Sequence, residues 1–73
     1  MCVLTSLRPT EWGKIVIING GYGIRQKLLL RGISEGSIVR MVSRSQGPVV
    51  VEVDRNTVAL GRGIAQRIMV TKK

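Results

Sequence analysis

The sequence predicts a mostly β fold: a small closed or partly open barrel of five short strands, with one short α-helix inserted after the first strand and a helical turn before the last. Three observations carry this. Short valine- and isoleucine-rich runs recur between turn residues along most of the chain. One stretch, Tyr22 to Arg31, instead carries Gln, Lys, Leu and Arg, all good helix formers. That stretch runs into Leu28-Leu29-Leu30-Arg31-Gly32-Ile33-Ser34-Glu35-Gly36, which reads as a last helical turn, a glycine stop and a tight turn into a strand.

The first strand is expected over Gly13 to Ile18, where Ile15, Val16, Ile17 and Ile18 favour extended backbone. It is entered through Pro9 and closed by Asn19-Gly20-Gly21, residues suited to turns and positive φ. The helix follows from Tyr22 to Arg31, with Gly32 where a left-handed C-cap belongs. Ser37 to Ser43 alternates loosely as a second strand. Gln46-Gly47-Pro48 then turns the chain into Val49-Val50-Val51-Glu52-Val53, with Pro48 at the strand's first position, where a missing N–H matters least. Asp54-Arg55-Asn56 is a second turn, Thr57 to Leu60 the fourth strand, and Ile68-Met69-Val70 the fifth. Between these last two, Gly61-Arg62-Gly63-Ile64-Ala65-Gln66 is short and glycine-rich, so a single 3₁₀-like turn is expected.

Alternation assigns Ile15, Ile17, Val39, Met41, Val49, Val51, Val53, Ile68 and Val70 to the interior. Val16, Ile18, Ile38, Val42, Val50 and Met69 then point the other way. Trp12 is expected as a core or barrel-end plug. At about 100° per residue, Ile24 and Leu28 share one helix face, with Lys27 and Arg31 beside it, while Leu29 and Leu30 point away. One packing face cannot bury all four apolar residues. Either the helix is wedged between barrel and loops, or a leucine is left exposed for docking.

Seventy-three residues make one domain, 1–73, with a modest core, which favours work done on a surface over work in a deep cleft. No linker, repeat or low-complexity segment divides it. The single cysteine, Cys2, leaves no disulfide pair, so stability rests on apolar packing, and a reducing cytoplasm fits. There is no apolar run of about 18 residues and no leader pattern, so an unprocessed soluble protein without a membrane span is expected.

Twelve Lys and Arg against four Asp and Glu give a net charge of +8, which favours an acidic partner: nucleic acid, an anionic membrane face or an acidic protein. A nucleic-acid-binding barrel is the alternative reading, and a salt titration with mixed RNA and DNA would reveal it through a steep loss of binding. Against it stand scattered charges and only two aromatics, Trp12 and Tyr22. A membrane-surface reading has the charge but lacks a basic amphipathic helix of useful length.

Reactive chemistry is sparse. With no His, a lone Cys and four carboxylates, the chain offers no ligand cluster for iron or zinc and no pair of nucleophile and base. No catalytic residue, cofactor or metal ligand is assigned. Glu52 and Asp54 could share a strand face and attract a hard cation, or be a solvated acid and a turn former. Gly20-Gly21-Tyr22-Gly23 ahead of a helix could offer N–H groups to a phosphate or be a plain strand-to-helix turn; the Lys-Ser/Thr of a P-loop is missing.

Leu7, Pro9 and Gly13, Gly20-Gly21, Leu28 with Gly32-Ile33 and Gly36, Pro48-Val49-Val50-Val51, and Val58-Ala59-Leu60 followed by Ala65, Ile68 and Val70 recur in an order that resembles the FeoA family. This family is the small cytosolic component of bacterial ferrous iron transport, and the resemblance covers nearly the whole chain. Gly61-Arg62-Gly63-Ile64 departs from it, since the family more often carries charged helix formers there. The resemblance implies an SH3-like barrel with an inserted helix. It also implies a non-enzymatic accessory role, exerted by contact with the cytosolic part of the FeoB membrane transporter, and hence a place in the cytoplasm at the membrane's inner face. The same module ends some metal-dependent repressors, but 73 residues leave no room for a DNA-binding domain. Tyr22, Arg25, Lys27, Leu29, Leu30 and Arg31 are the expected partner-binding residues, and outward apolar strand faces make self-association a neighbouring expectation.

Overall fold

A computed structural model describes residues 1–45 and 47–73. Six strands form one antiparallel sheet in the order β1-β6-β2-β3-β4-β5. They are β1 (Cys2–Val3), β2 (Trp12–Ile18), β3 (Ile38–Ser43), β4 (Val49–Val53), β5 (Asn56–Leu60) and β6 (Ile68–Lys72), with α1 (Tyr22–Leu29) after β2 and α2 (Arg62–Ala65) before β6. The expected count of five strands is therefore one short. The added strand, β1, is two residues long and leads into a 3₁₀ turn, Leu4–Ser6, that buries Leu4. Two residues are too few to show a period. The sheet curls around the core, but its end strands β1 and β5 do not pair with each other, so the barrel is open rather than closed.

β2 carries the main correction to the interior. Its register against β6 runs Ile15 with Val70, then Ile17 with Met69, so Val16 is an extra residue in a bulge. The bulge reverses the parity beyond it. Ile18 is 2 % exposed and sealed in the core, whereas Ile17, expected inside, faces out beside Val16. The other inward assignments hold: Ile15, Val39, Met41, Val49, Val51, Val53, Ile68 and Val70 are all buried, with Leu4, Leu7, Leu28, Ile33, Val58, Leu60 and Ala65 completing the core. Of the outward set, Val16 and Val42 are exposed and Ile38, Val50 and Met69 half-buried. Trp12 does not plug the barrel. It lies 45 % exposed on the outer face, with the Arg40 guanidinium 5.9 Å over its ring and Glu52 holding Arg40 at 2.9 Å.

α1 ends earlier than expected, but at the expected glycine. Gly32 has φ 81°, its N–H donates to Leu29 O at 2.9 Å, and Ile33 N–H donates to Leu28 O at 2.9 Å. These are the paired bonds of a Schellman motif, and the buried side chains of Leu28 and Ile33 seal it. The segment expected as a 3₁₀ turn is one turn of α-helix. Ala65 N–H reaches back four residues to Gly61 O and Gln66 N–H to Arg62 O, both at 2.9 Å. Full burial of Ala65 against the core fixes that pitch. Arg62 Nη2 also donates to the Arg44 and Ser45 carbonyls, tying α2 to the end of β3.

Two turns differ in how well the sequence suits them. The expected turn residue Gln46 lies outside the described residues, while Gly47 has φ 75° and β4 begins at Val49, just after Pro48. Between β4 and β5, Val53 pairs with Asn56 across two residues, Asp54 (φ 48°) and Arg55 (φ 68°). Positive φ at both is the type I′ geometry, which favours glycine at the second position. Arg55→Gly is therefore expected to stabilise the fold by about 0.5–1 kcal/mol, because strain relief exceeds the added freedom of the unfolded chain. Urea denaturation at constant m-value checks this, and a lower midpoint for Arg55→Gly would refute it.

Candidate partner surface around helix α1

The loop before α1 and the burial of two residues set the helix's orientation. Gly20 and Gly21 have φ of 113° and 86°, so the chain leaves β2 through backbone that an L side chain rarely adopts. Asn19 N–H is meanwhile held by Arg67 O at 2.8 Å. Leu28 is 2 % exposed, and Ile24 packs half-buried against the core. The opposite arc of the helix, at about 100° per residue, holds Tyr22, Gln26, Leu29 and Leu30. Tyr22 is 75 %, Leu29 56 % and Leu30 87 % exposed. Both leucines left open by the sequence thus face solvent.

The six expected partner residues divide among this crest and its two flanks. On the crest, Gln26 Nε2 donates to Tyr22 Oη, bracing the ring along the helix. On one flank, Arg25 pairs with Glu35 at 3.1 Å, and Glu35 Oε2 also accepts the Ile18 N–H at 3.1 Å. Glu35 was not among the expected residues, yet it locks Arg25 and the end of β2 to the turn after α1. A depression of about 280 Å³ lies there, lined by Ile18, Arg25, Leu29, Ser34 and Glu35. On the other flank, Lys27 and Arg31 lean toward β5, where Arg31 Nη1 donates to Ala59 O at 3.2 Å.

Away from α1 the surface mixes polar groups with the exposed side chains of Val16, Ile17 and Val42. A larger depression, about 590 Å³, lies away from α1 among Lys14, Val16, Gly36, Thr71, Lys72 and Lys73. Glu11 is the carboxyl held clearly below the ordinary glutamate range, chiefly by the Arg8 N–H it accepts at 2.6 Å and further by nearby cations, Lys72 first. Glu52 is committed to Arg40, and Asp54 sits in the β4–β5 turn, so the two acids serve separate structural ends. Among the described residues no three His, Cys, Asp or Glu come together as a metal site.

The fold and its exposed helix define a small SH3-like β protein whose distinctive surface is an apolar crest set in positive charge. The chain belongs to the FeoA family: the FeoA domain model matches residues 2–72. Over 53 residues it is 38 % identical to a candidate Fe(2+) transport protein A of Methanocaldococcus jannaschii, an alignment covering 73 % of this chain and 65 % of that protein. The chain thus spans just under two thirds of that relative. A crystal structure of an iron uptake regulatory protein, FeoA, superposes with a TM-score of 0.89 at 35 % identity, covering 99 % of this chain and 96 % of that one. The IdeR protein of T. acidophilum superposes with a TM-score of 0.87 at 31 % identity, covering 96 % of this chain but 33 % of its own. A manganese-dependent transcriptional repressor also matches, with a TM-score of 0.87 at 28 % identity over 97 % of this chain and 41 % of the repressor.

Proposed function

We propose that this chain is a non-enzymatic accessory protein of ferrous iron uptake that docks on the cytosolic part of a FeoB-type membrane transporter through the crest of α1. The observation that carries the reading is the exposure of Leu30 and Leu29, at 87 % and 56 %, beside Tyr22 on a helix whose other face is anchored in the core. Exposed leucines beside an aromatic ring, flanked by Arg25, Lys27 and Arg31, have the composition of a protein interface with an acidic or mixed partner. Family membership supplies the iron-transport context. Among the described residues no helix is long and apolar enough to cross a membrane. In this reading the protein reaches the inner face of the membrane through its partner.

Titration against the purified cytosolic domain of the cognate transporter tests the reading. Leu30→Asp is expected to weaken binding about tenfold or more, since truncating a central apolar anchor typically removes 1–2 kcal/mol. The thermal midpoint should stay within experimental error, because Leu30 is 87 % exposed. Equal binding by both proteins would sink the site assignment, and sedimentation over a concentration series separates docking from self-association.

A further inference from the structure

The free edge of the sheet and the helix beside it form a groove with unused hydrogen-bonding groups. The type I′ turn makes Val53 and Asn56 a hydrogen-bonded pair. Alternation along the antiparallel ladder then makes Val51 with Val58, and Val49 with Leu60, the next such pairs. Thr57 and Ala59 therefore turn their N–H and C=O groups away from β4, toward the side where the sheet ends. The Ala59 carbonyl agrees with this, since Arg31 approaches it from outside the sheet. Among the described residues, the Thr57 and Ala59 N–H groups have no backbone acceptor.

A cleft of about 110 Å³ separates this edge from the helices, with Leu28, Ala59, Leu60 and Ile64 as its apolar wall and Lys27 and Arg31 on its α1 side. Arg55 stands at the start of the same edge, in the turn. The charges here are unbalanced. Glu35, Glu52 and Glu11 pair with Arg25, Arg40 and Lys72, and among the described residues no carboxylate pairs with Lys27, Arg31 or Arg55.

We propose that this groove takes an extended acidic segment of a partner protein, added to β5 as a further strand. Carbonyls of the segment accept the Thr57 and Ala59 N–H groups, an aliphatic side chain enters the cleft, and carboxylates meet Lys27, Arg31 and Arg55. In the free protein Arg31 guards the edge, because it occupies the Ala59 carbonyl and sets a charge beside it. A second copy is the disfavoured occupant. Pairing β5 with itself would bring the same three cations face to face on chains of net charge +8. The groove shares Lys27 and Arg31 with the docking surface proposed above but uses neither exposed leucine, so the two readings fail in different experiments.

The test is an NMR titration of the isotope-labelled protein with a blocked seven-residue peptide of alternating valine and glutamate. The Thr57 and Ala59 amide resonances are expected to move downfield and their exchange with solvent to slow about tenfold or more, as newly bonded edge amides do. A copy of the peptide with alternate peptide nitrogens methylated, which cannot complete a ladder, is expected to bind at least about tenfold more weakly. The same loss is expected for the unmodified peptide with the Lys27→Glu, Arg31→Glu double variant, whose dispersed spectrum reports that it is folded. Equal binding by the methylated peptide, shifts confined to the Leu29 and Leu30 amides, or absence of saturable binding would each overturn the proposal. So would protection of Thr57 and Ala59 that rises with protein concentration alone, which would assign the edge to a second copy.

Discussion

Leu28→Ala is expected to destabilise the protein by about 2–4 kcal/mol, against about 0.5 kcal/mol or less for Leu29→Ala or Leu30→Ala. Three consecutive leucines on one helix thus differ several-fold in effect. Leu28 is sealed among core residues, and its carbonyl accepts both Arg31 and Ile33 N–H at 2.9 Å. Truncation opens a cavity under α1 and loosens the side-chain seal of its C-terminal stop. In a chain of this size the loss is a large share of total stability and lowers the thermal midpoint by on the order of 10 °C. Thermal and urea unfolding of the three variants in parallel measure it. Similar midpoints for all three would mean that α1 is not anchored as described.

The second large effect concerns the loop that aims the helix. Gly20→Ala is expected to cost about 2–3 kcal/mol, because φ of 113° is a conformation that alanine rarely adopts and such strain is worth about 1–3 kcal/mol alone. The new Cβ would also stand 2.5 Å from Ile24 Cδ1 and 3.1 Å from Arg67 Cδ. Ile24 must rotate away, which disturbs its packing against the core. Gly21→Ala is the comparison: it shares the positive φ, 86°, but its Cβ would meet nothing within 4 Å, so only backbone strain remains. Urea denaturation should rank Gly20→Ala below Gly21→Ala, and Gly20→Ala should also weaken transporter binding by displacing the crest. A reversed ranking would show that contact with Ile24 and Arg67 adds nothing to the strain.

Much of the architecture was legible because its signals are local. The glycine stop at Gly32 follows from helix formers running into a residue free to adopt positive φ. The β4–β5 hairpin follows from Val49, Val51 and Val53 alternating into Asp54-Arg55. The exterior was less legible. Placing Ile17 inside and Ile18 outside assumed unbroken alternation, and one bulged residue, Val16, reversed both. Trp12 looked like core because an indole is large, but its register opposite Arg40 puts it on the outer face, where the guanidinium covers part of it. The six residues expected at the partner surface were all on or beside α1, yet Glu35, which fixes Arg25 and the end of β2, carried no sequence signal beyond its place in a turn.

By itself the sequence determined a small β protein with one glycine-stopped helix, a strongly basic surface and few reactive side chains, since each of these depends on composition or on residues within a few positions of one another. Tertiary structure alone decided that Leu28 enters the core while Leu29 and Leu30 face solvent, and that β5 ends the sheet beside Lys27 and Arg31. The physical reason is that helical periodicity gives the angles between side chains but not the direction of the core. That direction is set by contacts between residues far apart in the chain, through the bulge in β2, the burial of Ile33 and the order in which the strands pair.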